Sequence, residues 1–149
     1  MPLRTTLLRH ETQLGGPEPH FDWLLEPDDR DVDPDLRDVT TWRCLHRPDR
    51  LGIGESCLLT PISPHRRAWL ESPIGACRSL TPPLGSATVV TRGVATLTST
   101  VPLELRISWS QSREVHRIRI EEPAPGRHLA LRLTNRSSLS SLDENIDPS

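Results

Sequence analysis

Apolar and polar residues alternate along this chain in many short stretches, and no stretch of useful length carries the 3.6-residue period of an amphipathic helix. Residues 3–9 alternate loosely and predict a first strand arriving at His10. A loop with two glycines and two prolines follows over 11–19. Residues 20–26 (HFDWLLE) read as the next strand, 28–38 as a charged surface loop, and 39–45 as a third strand closed by the HRPDR segment. Residues 57–62 and 68–72 predict two short strands separated by SPHRR. Residues 86–91 and 94–100 predict a hairpin with Arg92-Gly93 as its two-residue turn. A second hairpin pairs 103–108 with 115–121 around SQSR, and 129–133 supplies a last strand. Short strands at near-regular spacing with turn signals between them predict an all-β domain, an antiparallel barrel or sandwich.

The stretch His20–Glu26 carries the sharpest pattern. In a strand, Phe21, Trp23 and Leu25 share one face, and His20, Asp22, Leu24 and Glu26 share the other. Burial of the three large apolar groups sets the register, because a slip of one residue would expose them all. An imidazole and a carboxylate are thereby held side by side on the opposite face.

Composition agrees with this reading. The 149 residues suit one domain, and 34% hydrophobic content with 15 prolines disfavours a helical bundle. The Ser-rich, acidic stretch 137–149 has little to bury and is expected to be disordered, leaving a domain over 1–136. All 18 basic residues are Arg, yet the net charge of −2 argues against coating nucleic acid by bulk electrostatics. Seven Arg against three Glu over 106–136 leave room for one basic surface or for an ordinary solvated strand face. Cys44, Cys57 and Cys77 are scattered and form no disulfide or zinc-knuckle pattern. With no apolar leader and no run near the roughly 20 apolar residues of a membrane span, the chain reads as soluble and cytoplasmic.

A His and a carboxylate two residues apart on a strand can reach one cation. His10, on a neighbouring strand, would complete a set of two nitrogens and one oxygen with positions left open for water or substrate. A plain hydrogen-bonded His–Asp pair is the alternative, since such pairs are common by chance.

The surrounding motifs carry a resemblance. His10 is followed by His20-Phe21-Asp22-Trp23-Leu24-Leu25-Glu26, then by Thr41-Trp42-Arg43-Cys44-Leu45-His46-Arg47, then by Pro64-His65-Arg66-Arg67-Ala68-Trp69, and then by the strand from Gly85 to Gly93. In this order the chain resembles the phosphoesterase domain of bacterial DNA ligase D, the multi-domain enzyme of non-homologous end joining, and its stand-alone relatives. The likeness fades beyond residue 100. It implies a small antiparallel β-barrel that trims nucleic acid 3′ ends, removing a 3′ phosphate or a 3′ ribonucleotide with manganese or a similar divalent ion, zinc and cobalt being compatible. Carried over residue by residue, the metal ligands fall on His10, His20 and Asp22. The catalytic His near the scissile phosphate falls on His65. His46, which stands where the family has a Lys, Arg92, which has a family counterpart, and Arg66, which adjoins His65, are the candidates for binding substrate. Any ligase or polymerase partner would act in trans.

The chain also departs from that pattern. The family's Arg two residues after the metal-binding Asp is Leu24, its Arg and Glu upstream of the second His correspond to Cys57 and Ser63, and its Tyr four residues after that His is Trp69. Arg9, Arg43, Arg47, Arg66, Arg67 or Arg92 could replace the lost phosphate grip, Arg66 and Arg67 first because they adjoin His65. An exposed basic turn is the competing reading of that pair. The four tryptophans, each in a strand-like pattern, are expected in the core rather than as base-stacking platforms. Three functions stay open on these residues: an active phosphoesterase of nucleic acid 3′ ends, an inactive end-binding or scaffolding module that keeps the fold with or without the metal, or the same metal chemistry on a different phosphate ester.

Overall fold

The computed structural model describes residues 2–16, 18–27, 33–82 and 85–134, so the expectation for 137–149 lies outside the described residues. Among the described residues nine strands form one antiparallel sheet: β1 (Pro2–Glu11), β2 (His20–Leu25), β3 (Arg37–Cys44), β4 (Ser56–Arg66), β5 (Cys77–Ser79), β6 (Ser86–Thr100), β7 (Leu103–Trp109), β8 (Val115–Ala124) and β9 (Arg127–Leu133). Their order is β1-β2-β3-β4-β9-β8-β7-β6-β5, and β1 also pairs with β6. That last pairing closes eight strands into a barrel, with β5 added outside the ring along the start of β6. Among the described residues no helix is long and apolar enough to cross a membrane.

Every strand of the ring contributes to one interior cluster, which includes Leu7, Trp23, Trp42, Cys57, Ala95, Leu105, Ile118 and Ala130. Trp23 packs on Trp42 with ring centroids 5.1 Å apart and on Trp109 at 6.4 Å, so three of the four tryptophans are core, as expected. Phe21, Trp23 and Leu25 do share this face.

The opposite face of the β1–β3 wall is not left to solvent. Leu8, Leu24 and Val39 form a second cluster with Leu70, Ala87 and Val89, against which Trp69 and Leu80 pack. A barrel with an apolar patch on its outer wall must cover it. The cover here is the chain from Arg67 to Leu80 together with the first part of β6.

Three local expectations are corrected. Residues 86–100 form one continuous strand rather than a hairpin. Gly93 does not adopt a positive φ; it pairs with Thr5 on one side and Trp109 on the other. A Cβ there would lie 2.7 Å from the Ser108 carbonyl oxygen, so glycine is present for close approach of backbone. The alternation does slip: Val89 belongs to the outer cluster while Val90 and Ala95 pack inside, and the register with β1 shifts opposite Leu7 and Leu8. The phase slip that resembles a turn in the sequence is a bulge.

Residues 57–62 are likewise part of a longer strand, for β4 runs on through SPH to Arg66. Residues 68–72 are not a strand. Arg67–Leu70 is a short 3-10 turn, anchored by buried Leu70 and by buried Arg67, whose guanidinium grips Asp38 through bonds of 2.8 and 2.7 Å. Trp69 therefore leaves the strand pattern and stands outside the barrel.

Candidate metal centre

The geometry of the candidate site follows from strand register. His10 of β1 is paired directly with His20 of β2, Leu8 with Asp22, and Asp22 in turn with Arg43 of β3. His10, His20 and Asp22 lie on the same faces of their strands as Leu8 and Leu24, which places them on the outer wall of the barrel. They are buried there, at 8%, 3% and 4% exposure, beneath the covering segment.

One ligand atom from each of these three residues lies within 4.8 Å of the others. The hydrogen-bond pattern explains what those atoms can do. Nδ1 of His20 is 2.7 Å from the carbonyl oxygen of Glu18, which only accepts, so Nδ1 carries the ring hydrogen. With that hydrogen on Nδ1, Nε2 presents its lone pair to Nδ1 of His10 at 2.9 Å and to Oδ1 of Asp22 at 3.3 Å. Oδ1 of Asp22 is buried and has no hydrogen-bond partner, and neither does Nε2 of His10. A buried carboxylate oxygen left unpaired beside imidazole lone pairs is costly unless a cation joins them. Burial also lowers the pKa of His10, with Asp22 opposing and His20 and Arg43 assisting, which favours the neutral imidazole that binds metals. The donor set and its unpaired atoms fit a divalent ion, and the Glu18 carbonyl is the outer contact that orients His20.

His65 arrives from β4. Its register with β3 is irregular: Thr41 faces Ile62, yet Val39 faces His65, so three residues of β4 span two of β3 around Ser63 and Pro64. Such a bulge re-aims side chains. Nε2 of His65 consequently stands 3.3 Å from Oδ2 of Asp22, while its Nδ1 faces the Ser63 carbonyl at 3.3 Å.

A cavity of about 290 Å³ opens on this cluster, lined by His10, Asp22, His65 and Arg43 and by Leu8, Ile62, Ser63, Trp69, Leu80 and Ala87. Ser63 and Trp69, two of the departures noted above, thus stand in its wall. Leu24 is fully buried in the outer cluster, and Cys57 lies in the interior core, where burial pushes its thiol up to about 11.

The residues expected to bind substrate are placed elsewhere. His46 is exposed and lines a separate groove with Phe21, Arg47 and Arg50. Arg66 lies 3.7 Å from Asp35, and Arg92 donates to the Leu70 carbonyl at 2.6 Å. Arg67 is not an exposed basic turn, since it is buried on Asp38. Of the six candidate arginines, Arg43 is the one that lines the cavity. Its sequence signal was its place opposite Asp22, which needs the register of β2 on β3.

No protein-family model matches the chain, and no curated protein matches it in sequence.

Proposed function

We propose that this barrel is a metal-dependent phosphoesterase that acts on the 3′ ends of DNA or RNA, removing a 3′ phosphate or a 3′ ribonucleotide. The observation that carries the reading is the cluster of His10, His20 and Asp22 beside one small cavity that His10, Asp22 and His65 line. The motif order described in the sequence supplies the substrate class.

In this reading His10, His20 and Asp22 hold a manganese ion or a related divalent cation. Bound there, such an ion supplies Lewis-acid polarisation of a phosphoryl oxygen. His65 is the proton donor: the Ser63 carbonyl orients its ring, and Nε2 in the protonated imidazole, at the face shared with Asp22, gives its proton to the leaving 3′ oxygen as water adds to phosphorus and the P–O bond to that oxygen breaks. The walls formed by Leu8, Ile62, Leu80 and Trp69 limit water at the reacting phosphate.

A second reading has its own observation. His46, Arg66 and Arg92 stand away from the cavity, and Leu24 fills the place of a cation with buried hydrocarbon. That pattern favours an end-binding module that keeps the metal and lacks turnover.

Hydrolysis of a 3′-phosphorylated primer–template with manganese, with and without chelator, and beside His20→Ala, separates the two. Release of phosphate that needs both the metal and His20 is the expected result. Retained metal binding with no release would overturn catalysis in favour of the module.

A further inference from the structure

Resting on the phosphoesterase reading, we infer that Arg43 is the phosphate-binding residue of this cavity, and that its guanidinium grips the substrate's phosphoryl oxygens beside His65. The position is paired with Asp22 across β2 and β3, so Arg43 stands next to the metal cluster by backbone register rather than by side-chain chance.

Its chemistry is uncommitted. Among the described residues, the other arginines near the site are engaged: Arg67 with Asp38, Arg66 with Asp35, Arg92 with the Leu70 carbonyl, Arg9 with Glu11, and Arg78 over the Trp69 ring at 5.4 Å. Arg43 has no such partner, and its Nε is buried without a hydrogen bond. Among the described residues Asp22 is the only carboxylate that lines the cavity, it makes no ion pair with Arg43, and its Oδ1 belongs to the cation cluster. A partly buried guanidinium that makes no ion pair is stabilised when an anion arrives, and a phosphate offers two oxygens to its fork.

The placement also explains how the site tolerates Leu24. Leu24 faces Thr41 in the β2–β3 register, two pairs along from Asp22 and Arg43 and on the same face. A cation supplied from β3 leaves Leu24 free to pack with Val39 and Leu70 in the outer cluster.

Calorimetric titration with inorganic phosphate tests the assignment. The wild-type protein, Arg43→Met and Arg43→Gln are each titrated with manganese present and again with chelator, and manganese binding is titrated separately. Both variants are expected to bind phosphate at least about tenfold more weakly, the scale of one lost charge-assisted pair, with an unchanged manganese isotherm. Arg43→Gln keeps a polar head and serves where Arg43→Met fails to fold. Wild-type phosphate affinity in a folded variant, or no phosphate binding by the wild type, overturns the assignment. Loss of manganese binding by the wild type would instead sink the phosphoesterase reading, and phosphate binding in chelator that still depends on Arg43 would leave the anion site standing.

Discussion

Nε2 of His65 lies 3.3 Å from Oδ2 of Asp22, although the two residues stand on strands separated by β3. The second carboxylate oxygen of Asp22 faces His20 at the same distance. One side chain thus joins the cation cluster to the proposed proton carrier, and the two roles separate by mutation. His65→Ala should leave manganese affinity within a few-fold of wild type and remove hydrolysis, at a cost of about 10²–10⁴ in rate. Unfolding of that variant, seen by circular dichroism, would make His65 structural and withdraw its catalytic assignment.

Manganese should stabilise the protein through the three ligands. An ion that binds only the folded state contributes about 2.7 kcal/mol at a hundredfold excess over its Kd. The melting temperature should therefore rise with manganese in the wild type and stay fixed in His20→Ala and Asp22→Ala. Equal metal-induced shifts in the variants would show that the ion binds elsewhere.

Gly93→Ala tests the continuous β6. The added Cβ would meet the Ser108 carbonyl oxygen at 2.7 Å and Trp109 at 3.2 Å. Backbone is a poor neighbour to displace, so the variant should lose about 1–3 kcal/mol in urea unfolding. A stability equal to wild type would argue that the strand is interrupted there after all.

Stability should fall as the pH drops below the ordinary histidine range. His116 is buried in the barrel, and burial, helped by Arg132, lowers its pKa against the smaller opposing pull of Glu114. Its folded pKa lies below the unfolded value, so the unfolded chain takes up a proton first. The stabilisation is full above the unfolded pKa and is lost as pH falls through the folded one. The slope from one such group reaches about 1.4 kcal/mol per pH unit. His10 acts in the same sense. Urea midpoints followed from neutral pH downward should decline less steeply in His116→Gln, and identical slopes would remove His116 from the account.

Much of the barrel was legible in the order of residues. Period-two alternation marked β1, β2, β3, β7, β8 and β9 within a few residues of their ends, because each turns one face to the barrel core, although β1, β2 and β3 bury their other face as well. The sequence by itself also determined that His20 and Asp22 share a face, since Trp23 and Leu25 can be buried together in one register only. What the tertiary structure alone decided was everything that depends on neighbours across the sheet. The slip at Val89–Thr91 is a bulge because β6 must turn from the outer cluster to the barrel interior, and the same letters would suit a hairpin. Arg43 enters the cavity and Arg66 and Arg67 leave it because registers between strands, and a bulge around Ser63 and Pro64, set which side chains meet. Local pattern specifies the face of a side chain within its own strand. Contacts between strands are fixed by long-range pairing, whose shifts of one residue leave no mark on either strand read alone.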